Sequence, residues 1–450
     1  MTQAEFHYRK MTETPIEKLI ISLSIPTIIS MLISNIYNLA DTYFVGSLGV
    51  SASGAVGIVF TLMSILQALG FMCGHGAGSI ISRRLAERDT DDASRYASTS
   101  LLMTLALGMV FVLLGIPLVK PLTRLLGSTE TILPYASTYA TYILASAPVM
   151  MGSLALNNIL RYEGKAFYGM IGLTLGGVLN MIGDPIMIYG LNMGIAGAGL
   201  ATALSQTVSF FVLLFLFRRH AQSKLSLRHF RRKNILKITT AGFPSFIRQG
   251  LSCISSGILN NTAGFYGGDP CISAIAITSR CQFFMTSIAL GFGQGFQPVA
   301  GFSYQARKYS RLRKAFRFTL VSGLCVLLAF CLMGLIFAPQ IVSIFQDDPT
   351  VIEIGSLSLR FASIAMVFFQ LNMVPSMLFQ SSGLNGRATL LACMRSGLCF
   401  IPVLLVLPRL IDLLGVQLAQ PIADVLSGLC AVPLAVQFFR SLPKEDGCPI

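Results

Sequence analysis

The sequence predicts an all-α polytopic membrane protein: twelve transmembrane helices in two six-helix lobes, related by a pseudo-two-fold axis along the membrane normal. Three observations predict it. First, the 450 residues are 54% hydrophobic and 12% charged, against about 25% charged in soluble domains. A soluble chain of that balance would expose large apolar patches. Second, the apolar residues fall in blocks long enough to cross a hydrocarbon core of about 30 Å as helices. The alternation of a membrane barrel is absent. Third, landmarks recur at one offset. Pro26 in LSIPTIIS parallels Pro244 in AGFPSFIR, 218 residues on, and Gly74-His75-Gly76 parallels Gly293-Gln294-Gly295 at 219. Glu163-Gly164 in RYEGKA parallels Ser382-Gly383 in QSSGLN, also at 219. One offset across three landmarks indicates duplication. Six crossings per half return the chain to the same side, so the repeats are parallel. The expected division is an N-lobe over 1–217, a linker over 218–234 and a C-lobe over 235–450.

The first span, 16–45, follows a tail that is polar through Pro15. It carries Pro26 and, near its far end, Asp41. It is too long for a signal peptide and lacks a cleavage pattern, so it is read as retained. The second, 52–80, holds His75, and the third and fourth cover 95–119 and 131–159. The fifth, 165–189, carries Asn180, Asp184 and Pro185. The sixth, 194–217, opens on GIAGAGLATA and contains Thr202. The seventh, 235–264, has Arg248 and no acid; the eighth, 271–300, has Arg280 and ends on GFGQGF. The ninth, 315–337, is almost wholly apolar. The tenth, 350–379, has Glu353 at its start, then Arg360, Gln370 and Asn372. The eleventh and twelfth, 387–408 and 414–439, carry Arg395 and Asp424.

Basic residues set the orientation. With the N-terminus inside, the inner tails and loops hold 26 of the 33 Lys and Arg. The outer loops hold three (Lys120, Arg124 and Arg409), and Arg248, Arg280, Arg360 and Arg395 lie within spans. The positive-inside rule then places both termini in the cytoplasm. The same loop distribution explains the net charge of +14 without a nucleic-acid partner. The ten cysteines are scattered with no CxxC and are read as small core residues.

Asp41 and Asp184 break the lipid pattern. A carboxylate at membrane depth costs roughly 2.5–3.5 kcal/mol on insertion scales and persists only facing protein or water. Asn180 precedes Asp184 by four residues, so both face one side of the fifth helix. Pro185 has no N–H and leaves a carbonyl one turn back without its usual donor. Carboxylate, amide and carbonyl suit a hard cation, and Thr202 could add a hydroxyl. The opposing reading is that each aspartate caps a helix at the interface and is solvated.

The other buried polar residues carry two readings each. The four intramembrane arginines snorkel or pair structurally, with Asp424 as one partner, or they meet substrate. His75 packs in a hydrogen bond or shuttles protons. GFGQGF follows a membrane helix rather than a strand. Its glycines, like those of GIAGAGLATA, are read as close-packing positions rather than a phosphate loop. The 19 Met and 31 Phe line a permissive cavity or face lipid. There is no Walker-type loop, metal-ligand cluster or nucleophile–base set, so the chain is not expected to be an enzyme or an ATP-driven pump.

Taken together, these segments resemble the multidrug and toxic compound extrusion (MATE) transporters: Pro26 in the first helix, NLADTYFVG (38–46), LNNILRYEGKA (156–166), GGVLNMIGDPIMIY (176–189), GIAGAGLATALSQ (194–206), GFPSFIRQG (242–250) and GQGFQPVAGFSYQARKY (293–309). The resemblance covers nearly the whole chain. It implies a secondary active antiporter that exports cationic amphipathic drugs or toxic compounds by alternating access. No cofactor is permanently bound; Na+ or H+ is the coupling ion. Carried across, the N-lobe cation site falls on Asp41, Asn180, Asp184 and Thr202, with the Ala198 carbonyl. Tyr37, Tyr139 and Asn157 fall on the N-lobe cavity. Some members place a second acidic cluster in the C-lobe, which this chain lacks, so it resembles the branch that couples through the N-lobe. The alternative within the superfamily is a lipid-linked oligosaccharide flippase, which needs a cationic cavity. The expected partners are small cationic molecules and the lipid bilayer. The expected setting is a monomer crossing a bacterial cytoplasmic membrane many times.

Overall fold

The computed structural model describes residues 3–443 and 445–446; Lys444, one of the 26 inner basic residues, lies outside them. All regular structure among these residues is helical. In order it is α1 (Gln3–Glu13), α2 (Ile16–Gly46), α3 (Val50–Ala86), α4 (Thr90–Val110), α5 (Val119–Leu125), α6 (Leu133–Tyr162), α7 (Ala166–Pro185) and α8 (Gly194–His220). Then follow α9 (Arg232–Gln305), α10 (Tyr309–Ser343), α11 (Pro349–Ser381), α12 (Asn385–Cys393) and α13 (Phe400–Ser441). Single π turns extend α4 over Phe111–Gly115 and α7 over Ile186–Gly190, and Met394–Leu398 joins α12 to α13.

Ten stretches are long and apolar enough to cross a membrane, but two of them run to 74 and 57 residues. A straight helix of the longer length would span about 111 Å, far beyond one bilayer. Both are broken. α9 leaves helical geometry at Gly268 (φ 60°) and α13 at Ile411 and Asp412. Each break falls in a gap between expected spans, so the ten stretches make twelve crossings. Helices overrun the expected limits where their ends are charged, as α3 does through Arg83 and Arg84. Hydropathy marks only the lipid-deep part, whereas the backbone hydrogen bonds continue. Caps then stop the extension: the Asp89 carboxylate accepts the Asp92 N–H at 2.9 Å, and Asp348 accepts the Thr350 N–H at 2.8 Å ahead of Pro349. α1 and α5 have no counterpart among the expected spans, one being too polar and the other too short to cross.

The duplication is visible in the turns. Gly164 and Gly383 both take positive φ, at 73° and 84°. Each is followed by the same closing bond, Lys165 N–H to the Leu160 carbonyl and Leu384 N–H to that of Phe379, the six-to-one pattern of a helix C-cap. Arg88 and Arg307, again 219 apart, are both left-handed at φ 63° and 55°.

The described residues form two compact units: those up to 11 with 25–249, and 12–24 with those from 250 onward. In the first, α3 and the start of α9 cross at Gly76 and Gly242. A Cβ on either would overlap the backbone opposite, at Ile238 and Met72. The 221–231 segment is strapped to this unit. Ser98 Oγ donates to the Lys224 carbonyl at 3.2 Å, and the Ser226 N–H donates back to Ser98 at 3.1 Å. Fully buried Glu163 accepts the N–H groups of Gln222 (2.6 Å) and Ser223 (3.2 Å), and the Ser223 hydroxyl. Burial pushes the Glu163 carboxyl above its usual range, while these bonds pull it back.

Candidate cation site in the first unit

The site is built by α2, α6, α7 and α8. Close approach of the last two comes from small residues. A side chain on Gly172 would strike Leu213, one on Gly176 Ser209, and one on Gly197 the Met187 backbone. This brings Thr202 of α8 against α7. There Asn180 Nδ2 donates to Asp184 Oδ1 and to Thr202 Oγ1, each at 3.2 Å. The four-residue spacing of Asn180 and Asp184 thus gives the shared face expected from it.

On the facing side, the Tyr139 hydroxyl of α6 donates to Asp41 Oδ2 of α2 at 3.1 Å. The helices that carry the two carboxylates pack together, with Ile33 and Tyr37 of α2 lying against Gly177 of α7. Tyr37 lies one helical turn before Asp41, and its ring lies over Gly177, where a Cβ would come within 3.1 Å. Ser47 and Tyr189 meet at 2.5 Å and tie the end of α2 to the π turn after Pro185.

Burial decides between a solvated cap and a built site. Asp184 is 0% exposed and Asp41 8%, so neither is solvated at an interface. Three oxygens of this group are buried with no donor among the described residues: Asp41 Oδ1, Asp184 Oδ2 and Asn180 Oδ1. Buried acceptors are rarely left without a partner. Two carboxylate oxygens and an amide oxygen form an acceptor-only set of the kind a proton or a hard cation satisfies.

The resemblance places Asn157 on the cavity rather than among the cation ligands. Asn157 lies 18 residues beyond Tyr139 on α6, about 27 Å along the axis. It packs against Gly169 and is remote from the carboxylates. In the second unit the polar residues are engaged in packing. Asn372 donates to the Ser427 carbonyl at 3.2 Å, Gln370 to that of Thr319 at 3.4 Å, and Glu353 is exposed. Arg395 Nε meets fully buried Asp424 at 2.7 Å and lies 4.4 Å over the Phe369 ring. Arg280 and Arg360 are exposed, and His75 Nδ1 is 2.7 Å from Ser245 Oγ.

The comparisons agree with this architecture. The MatE family model matches twice, over residues 26–186 and 244–406, with starts separated by the same 218 residues as the two prolines. The multidrug export protein MepA of Staphylococcus saprophyticus is 28% identical over 429 residues, covering 94% of each chain. MepA of Staphylococcus aureus (strain MRSA252) is 27% identical over 439 residues, covering 96% of each. Among solved structures, the outward-facing form of a multidrug resistance MATE family transporter of the MOP superfamily superposes with a TM-score of 0.91 at 27% identity, covering 99% of this chain and 100% of that one. A MOP superfamily transporter from Pyrococcus furiosus, described as having a binding pocket of reverse polarity that suggests a different function, gives the same TM-score, identity and coverage. With most of both halves matched by one family and the fold shared along its length, the chain belongs to the MatE family and is a multi-pass membrane transporter.

Proposed function

We propose that this transporter is a secondary active antiporter that exports cationic amphipathic compounds in exchange for Na+ or H+ by alternating access, coupled through Asp41 and Asp184. The observation that carries the reading is the set of three buried oxygens without donors among the described residues, two of them on carboxylates. Burial at that depth favours neutralisation by a bound cation, by a proton, or by a cationic drug in the same cavity. Loading the ion weakens the attraction for the drug, so an inward ion gradient drives release outward. One charge moving through 100 mV contributes roughly 2.3 kcal/mol, enough for about a fifty-fold concentration ratio. A flippase for a pyrophosphate-linked sugar would need a cationic cavity. The buried acids of the first unit favour cationic cargo instead.

Reconstituted vesicles with a pH gradient and a Na+ gradient imposed separately test this reading. Ethidium movement should accelerate with one gradient and collapse when it is dissipated; a rate indifferent to both gradients contradicts antiport.

The proposed orientation places α1 and the 221–231 segment in the cytoplasm and Asp41 and Asp184 nearer the outside. A cysteine probe must be exposed to report sidedness. Ser223 is 3% exposed and unsuitable, whereas Leu227 is 77% exposed. In a cysteine-free background, Leu227→Cys should resist an impermeant thiol reagent in intact cells and exposed Thr350→Cys should react. The opposite pattern reverses the topology.

A further inference from the structure

An apolar groove of about 350 Å³ opens on the second unit between α10, α11 and α13. Its walls are Phe316 and Leu320 of α10, Leu371 and Pro375 of α11, and Val432 to Phe439 of α13. Arg440 stands at one end. The rings of Phe316 and Phe439 close that end, with centroids 4.8 Å apart. Val432 and Val436 are 40% and 44% exposed, so the groove is open along its side rather than sealed. All three walls belong to apolar membrane-crossing stretches, so the medium at its mouth is lipid. From Arg440 to Val432 is eight residues, about 12 Å of helix.

The one charged residue in the groove lining is Arg440. On α10, residues 313, 316, 317 and 320 share a face by helical spacing. That stripe puts the guanidiniums of Arg313 and Arg317 beside the two groove residues. Arg313 is occupied: its Nη2 donates to the carbonyls of Leu442 (3.2 Å) and Pro443 (2.9 Å), closing the end of α13. Arg317 and Arg440 are exposed, and neither forms an ion pair among the described residues. The carboxylate recorded at this end of α10 is that of Asp446, which accepts the Ser310 N–H at 2.8 Å. Ser310 is seven residues, about two helical turns, from Arg317. A cationic drug would meet two like charges here. An anion without a tail would leave the groove empty.

We infer that this groove is a binding site for an anionic phospholipid, with an acyl chain between α10, α11 and α13 and the phosphate on Arg317 and Arg440. The assignment stands independently of the coupling site, which lies in the other unit. Basic residues at the end of apolar helices attract anionic headgroups, and the adjoining groove adds area for a tail. Together they convert a general attraction into a site with a preferred lipid.

Native mass spectrometry of the purified full-length chain tests it, with phosphatidylglycerol and phosphatidylcholine of identical acyl chains and unfolding temperature followed in parallel. The wild type should hold phosphatidylglycerol at least tenfold more tightly. Arg317→Gln with Arg440→Gln should erase that preference. Val436→Trp, filling the mouth of the groove, should weaken both lipids. The substituted residues are exposed, so the fold should persist, and the unfolding temperature without lipid checks this. Equal binding of the two lipids by the wild type overturns the proposal, as does an unchanged preference in the arginine double variant. So does inorganic phosphate that displaces phosphatidylglycerol at equal concentration, since it would reduce the feature to an anion site with no tail.

Discussion

Gradient-driven efflux should disappear in Asp41→Asn and in Asp184→Asn, with expression and membrane insertion unchanged. Asparagine keeps the shape of each side chain and is cheaper to insert than a carboxylate. In Asp41→Asn the Tyr139 hydroxyl keeps an acceptor; in Asp184→Asn the amide of Asn180 keeps one. What is lost is the negative charge that a proton, Na+ or cationic drug neutralises. The expected fall in gradient-dependent rate is at least tenfold for each single variant, with no further fall in the double variant, because the pair acts as one site. Thr202→Ala and Asn180→Ala should weaken ion affinity without abolishing turnover, since each removes a neutral ligand. Dye efflux per folded molecule in vesicles measures all five variants. A double variant working at the wild-type rate would remove these carboxylates from the mechanism while leaving the fold intact.

Asp424→Asn should act on stability instead. Asp424 is fully buried and accepts from Arg395 Nε at 2.7 Å and from Gln420 Nε2 at 3.1 Å. Removing one member of a buried pair costs about 3–5 kcal/mol, because the other is left uncompensated. Arg395 is 20% exposed along its side chain, so partial solvation places the expected loss at the lower end. The midpoint of thermal unfolding in detergent should drop by several degrees. Replacing both residues, as Arg395→Met with Asp424→Leu, should recover much of the loss. A stable Asp424→Asn protein that no longer transports would move the pair from structure into mechanism.

Much of this was legible in the sequence, for identifiable reasons. Asp41 and Asp184 stood out because each violates the solvent rule of the helix that carries it. Asn180 followed because helical spacing fixes which residues share a face. The Arg395–Asp424 pairing followed from the need of a buried charge for a partner. The breaks at Gly268 and at Ile411–Asp412 fell where hydropathy lapsed. Tyr139 and Tyr37 entered only through resemblance, because a tyrosine in an apolar helix looks the same whether it packs or donates. Asn157 came through the same resemblance, yet the length of α6 separates it from the carboxylates. The left-handed turns at Arg88 and Arg307 were hidden because arginine has no turn signature, unlike Gly164 and Gly383.

The central claim is that one pair of carboxylates serves both the ion and the drug. Equilibrium binding of a fluorescent cationic drug to the purified transporter, across Na+ concentration and across pH, tests it most directly. In the wild type, Na+ or acid should raise the apparent Kd for the drug, and in the Asp41→Asn, Asp184→Asn double variant the Kd should be weaker and no longer respond to either. A double variant whose drug affinity still falls with Na+ or acid as steeply as the wild type would contradict it.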